Sequence, residues 1–116
     1  MEKSKAELLR EIMPDTAKVF ENLISVTFRD GALSLKIKEL IAIGVAVSMG
    51  CNDCMDHHII IAKEQGATRE EITEAMSVGF EMGIGRLYPA MVRSISKNFG
   101  IVLEQEYSGL HNYEQE

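Results

Sequence analysis

Two cysteines occur in the chain, Cys51 and Cys54, enclosing Asn52 and Asp53, and His58 follows four residues after the second. If Gly50 ends one helix and the Cys-x-x-Cys opens the next, an ideal turn of about 100° per residue places Cys51, Cys54 and His58 within about 60° of one face. Two thiols and an imidazole then share a surface. A thiol reacts as its thiolate, and a helix N-terminus with a basic neighbour lowers a cysteine pKa from about 8.5 into the range of about 3.5–7.5. The pattern points to a dithiol/disulfide redox centre.

Glu39 lies twelve residues before Cys51. On one straight helix it would sit about 18 Å away, too far to act. If the chain instead reverses at Met49-Gly50 and the two helices run antiparallel, the axial offset between Glu39 and His58 falls to about 4–5 Å. The order along that hairpin is carboxylate, imidazole, thiol. A carboxylate accepting one imidazole N–H fixes the tautomer, and the other ring nitrogen takes a proton from a thiol. Cys54 is one turn from the base and Cys51 two, so either sulfur can be served.

Other uses of these residues are narrower. A structural zinc site takes four ligands, and Cys51, Cys54 and His58 supply three with no second Cys-x-x-Cys or His-x-x-x-His to complete it, so no metal is expected. Without the hairpin, Glu39 would read as a surface partner of Lys36 or Lys38. Asp56 and His57 read as solvent or interface residues, and His111 as part of a frayed tail after Tyr107. Met49, Met55, Met76, Met82 and Met91 suit the filling of an irregular helical core. Gly79, Gly83 and Gly85 suit close helix packing or a subunit contact, and no glycine-rich nucleotide motif is present.

The elements that would position this set are all helical. Ser4 and Glu7 form a capping box for a helix through about Ile12, which Pro14 ends. Asp15 offers a second cap, and Val19, Phe20, Leu23, Ile24 and Phe28 recur at helical spacing as an inward face of a helix from Thr16 to Phe28, closed by Asp30-Gly31. A helix starting near Ser34 carries Leu40 to Val47, apolar on every side, and should be central. The next runs from about Asn52 to Glu64 and stops at Gly66. Thr68 and Glu71 form another capping box, opening a helix with Ile72, Ala75, Met76, Gly79 and Phe80 inward. Gly83-Ile84-Gly85 punctuates the pattern before a last helix from roughly Leu87 to Asn98. The expected architecture is all-α, a compact array of about five to six helices forming one domain over residues 1–116, with an antiparallel hairpin carrying the Cys-x-x-Cys.

Composition sets the outer bounds. The 116 residues are 46% hydrophobic and 26% charged with two prolines, which is ordinary for a globular domain. A formal charge of −6 argues against a general nucleic-acid or anionic-membrane binder, since phosphate contacts need a basic surface. The first residues are charged and the apolar run from Leu40 to Val47 is too short to span a bilayer, so a soluble, cytoplasmic protein is expected. An all-round apolar helix and a glycine- and methionine-rich second half leave more apolar surface than one small core hides, which implies a homo-oligomer.

The series Lys38-Glu39-Leu40, Gly50-Cys51-Asn52-Asp53-Cys54, His58 and Gly66-Ala67-Thr68-Arg69-Glu70-Glu71-Ile72 resembles the carboxymuconolactone decarboxylase family, in its alkyl hydroperoxidase D-like branch. The likeness spans roughly Leu33 to Pro89. It implies an all-helical fold assembled as trimers or hexamers, and a thiol-dependent peroxidase or disulfide reductase with Glu39, Cys51, Cys54 and His58 as relay and redox pair. Thiolate attack on a peroxide gives a sulfenic acid, the second cysteine closes the disulfide, and a redox donor of lipoyl or thioredoxin type restores the thiols without a bound cofactor. Members of this branch place a histidine where Asp53 stands here. Since that position points away from the sulfurs on the helical wheel, the departure bears on substrate and donor more than on the dithiol. Two other readings compete: acid/base chemistry on a small lactone through Glu39 and His58 alone, and a non-catalytic oligomeric binding module.

Overall fold

In the computed structural model, residues 2–104 are described, and Tyr107 and His111 lie outside them. Six helices follow one another: α1 (Lys5–Ile12), α2 (Pro14–Thr27), α3 (Leu35–Met49), α4 (Asn52–Glu64), α5 (Arg69–Gly85) and α6 (Leu87–Phe99), with no strand among the described residues. The architecture is all-helical, as the periodicity implies. Both capping boxes form: Ser4 accepts the N–H of Glu7 and Thr68 that of Glu71, while each glutamate reaches back to its cap's N–H.

α3 is the central element, packed against α4 on one side and α5 on another. Ile43, Ala62 and Ile72, one from each of these helices, are buried together, with Leu40, Ile59, Ala67 and Met76 around them. Burial at this junction removes apolar surface from water at roughly 25 cal/mol per Å². α3 and α5 cross closely because Gly44 meets Gly79: a Cβ on Gly79 would stand 2.8 Å from the Gly44 Cα. Lys36 and Glu71 join the same two helices by an ion pair of 2.7 Å.

Several expected features differ. The N-cap of α2 is Met13, with Pro14 in the first turn, so Asp15 lies inside that turn and caps nothing. The apolar face of α2 is not inward within the chain: α2 packs on α1, Ala17 is its one buried residue, and Val19 and Leu23 are 69% and 57% exposed. Phe80 is exposed as well, as are Met49, Met82 and Met91, whereas Met76 packs against the core and Met55 is half-buried. α3 keeps an uncovered stripe through Ile37, Ile41, Val45 and Met49. Gly83 and Gly85 lie within α5, which continues to Gly85, because Gly83 packs against Ser48 of α3 and does not open a turn. The helices spread over 60 × 34 × 26 Å with a radius of gyration of 19.6 Å, against about 13–14 Å for a compact chain of this length.

Candidate active site

The site begins with the turn between α3 and α4. Gly50 caps α3 at φ 69°, the left-handed region that favours glycine, and its N–H and that of Cys51 donate to the Val47 and Ala46 carbonyls. The chain thus folds back within two residues. Cys51 is the N-cap of α4, with its Sγ accepting the Cys54 N–H at 3.3 Å, so both sulfurs sit at the positive end of the helix dipole. They are joined as a disulfide, with Cα atoms 5.3 Å apart.

The reversal brings Glu39 of α3 against His58 of α4. Glu39 is 1% exposed, and its Oε2 accepts from His58 Nδ1 at 2.6 Å. A carboxylate taken this far out of water is costly unless it is paired, and His58 supplies the pairing. With Nδ1 committed to Glu39, Nε2 is the nitrogen left to exchange a proton. Cys54 and His58 line one groove of about 610 Å³, walled by Val26, Phe28, Ile41, Val45 and Met49. All four site residues singled out by spacing are therefore gathered at one hairpin, and the carboxylate and the imidazole are in direct contact.

Asp53 pairs with Lys5 of α1 at 3.1 Å, both side chains open to solvent. His57 is exposed, with its ring edge-on to that of His58 at 5.0 Å between centroids. Phe28 is a neighbour of the site that helical spacing marked only as part of an inward face. It joins the apolar series of α2, yet its ring stacks on His58 at 5.2 Å and 23° between planes. Thirty residues separate the two, and no local pattern signals such a contact. Among the described residues no group of three or more His, Cys, Asp or Glu side chains is placed to hold a metal ion.

The chain is similar to known proteins in both sequence and fold. A profile of the Carboxymuconolactone decarboxylase family matches residues 14–91. An uncharacterized protein of Cupriavidus necator is 36% identical over 77 residues, covering 66% of this chain and 68% of that protein. An uncharacterized protein of the Paracoccus denitrificans cox locus is 44% identical over 69 residues, covering 60% and 62%. Among solved structures, a carboxymuconolactone decarboxylase family protein from Legionella pneumophila superposes with a TM-score of 0.64 at 34% identity, over 80% of this chain and 85% of that one. A carboxymuconolactone decarboxylase family protein from Thermotoga maritima, possibly involved in antioxidative response, gives a TM-score of 0.56 at 33% identity, over 72% and 95%.

Proposed function

Because the chain belongs to the carboxymuconolactone decarboxylase family, we propose that it is a thiol-dependent oxidoreductase of the alkyl hydroperoxidase D-like branch, cycling Cys51 and Cys54 between dithiol and disulfide. The observation that carries this reading is the buried Glu39 carboxylate on His58 Nδ1, beside a Cys-x-x-Cys already closed as a disulfide.

That Cys54 shares the groove with His58 supports it as the attacking sulfur. His58 Nε2 takes the thiol proton, and Glu39 stabilises the imidazolium. The thiolate attacks one peroxide oxygen, the O–O bond breaks, and the leaving alkoxide takes the proton back from His58 as an alcohol. The sulfenic acid on Cys54 then yields to the Cys51 thiol, forming the disulfide and releasing water. The walls of the groove are mostly apolar side chains, which suits an organic hydroperoxide better than hydrogen peroxide. A lipoyl or thioredoxin-type donor returns two electrons from outside, in the cytoplasm.

A homo-oligomer, trimeric or hexameric, would cover the open apolar faces of α2 and α3. Light scattering at a mass above the 12.9 kDa of one chain is expected, and a clean monomer rejects assembly. The catalytic reading is tested by adding an organic hydroperoxide to the reduced protein and counting thiols: two are lost per chain, and a dithiol donor restores them. Retention of both thiols alongside turnover of a small lactone would assign the chemistry to Glu39 and His58 alone.

A further inference from the structure

We propose that Phe28 is a positioning residue of the relay, its ring face holding the His58 imidazole in place and favouring its protonated form. The inference rests on the oxidoreductase reading above. Phe28 is the C-cap of α2, its N–H donating to the Ile24 carbonyl at 2.8 Å. The loop that follows is tied to α3 at two points. Lys38 Nζ donates to the Arg29 carbonyl at 2.8 Å, and the Leu35 N–H donates to Asp30 Oδ1 at 2.8 Å. With the two residues that follow it anchored to α3, the half-buried Phe28 ring lies nearly parallel to His58, at 5.2 Å between centroids.

An aromatic face carries partial negative charge and attracts a cation within about 6 Å of its centroid. His58 is neutral as a free base and cationic once it holds the thiol proton, so the stack is stronger after the transfer than before. The transfer balances within the protein: the Cys54 S–H bond breaks, a bond from Nε2 to hydrogen forms, and thiolate and imidazolium result. Four groups set this equilibrium from the elements around His58. Glu39 on α3 favours the cation, Lys38 in the same groove opposes it, and Cys54 and His57 flank it on α4. Phe28, arriving from α2, adds to the favourable side without adding a charge.

The test compares native protein with Phe28→Leu, which keeps an apolar filler, and Phe28→Tyr, which keeps the ring face. Iodoacetamide alkylation of the reduced protein is followed against pH, beside peroxide turnover and thermal melting. In Phe28→Leu the alkylation midpoint is expected to rise by roughly 0.4–0.7 pH unit, the equivalent of a cation–π contribution of about 0.5–1 kcal/mol. Its kcat should fall with little change in KM, and Phe28→Tyr should restore both. A native midpoint in Phe28→Leu overturns the proposal, as do equal shifts in the Leu and Tyr variants. Native thiols of ordinary reactivity that consume no peroxide overturn the oxidoreductase reading instead. The difference in midpoint between native and Phe28→Leu decides the role of Phe28 in either case.

Discussion

His58 Nδ1 and Glu39 Oε2 lie 2.6 Å apart although nineteen residues separate them, and the carboxylate has almost no exposure to water. The pair has two duties that a substitution can divide. Glu39→Gln keeps the size and one acceptor oxygen but loses the charge that stabilises the imidazolium. It should melt close to the native protein while forming disulfide from peroxide about 10²-fold more slowly or worse, the usual worth of an acid/base group. Stopped-flow loss of free thiols measures the rate, and a native rate would remove Glu39 from the relay.

The two sulfurs occupy different surroundings, Cys54 in the groove with His58 and Cys51 at the helix cap. Cys54→Ser should therefore abolish peroxide consumption. Cys51→Ser should consume one equivalent and stop as a sulfenic acid, which dimedone traps and mass spectrometry detects. Trapping on Cys51 in the Cys54→Ser chain would reverse the assignment.

Residue spacing exposed the site better than the packing around it. Glycine at the left-handed position of Gly50, directly before the Cys51 cap of the next helix, dictates the reversal, and a reversal there sets the Glu39–His58 register by helical rise alone. Burial could not be read the same way. Val19, Leu23, Phe80 and Met82 have the periodicity of a core face and remain exposed in the single chain, because periodicity records that a face is apolar and not what covers it. The contact of Phe28 with His58 was hidden for a related reason: it depends on how the loop from Arg29 to Ser34 is tied to α3, through Lys38 and Asp30.

The crossing of α3 and α5 has no room for a methyl group at Gly79, whose missing Cβ would overlap the Gly44 backbone. Backbone atoms cannot swing aside as a side chain can. Gly79→Ala should destabilise by about 1–3 kcal/mol or more, lowering the melting temperature by at least several degrees. Gly85 is the matched control, since a Cβ there meets the flexible Glu81 carboxylate at 3.2 Å, and Gly85→Ala should be near neutral. Equal melting of the two variants would show that α3 and α5 separate easily.

Glu71 gives the fold a definable acid sensitivity. Its hydrogen bond to Lys36 of α3, followed by those to Thr68, holds its carboxyl below the ordinary value of 4.5. A carboxyl lowered in the folded state binds fewer protons there than in the unfolded chain, so its contribution is fully present above the unfolded value. It is lost as the pH falls through the lowered folded value. The stability gap between native protein and Glu71→Gln should accordingly be constant near neutrality and close progressively below about pH 4.5, as measured by urea unfolding at stepped pH. Because Glu71 is solvent-facing, added salt should shrink the neutral-pH gap through screening of Lys36, while the Thr68 capping bond persists. A gap that widens toward acid would mean that the carboxyl is protonated more readily in the folded chain, and that the bridge between α3 and α5 works against the fold.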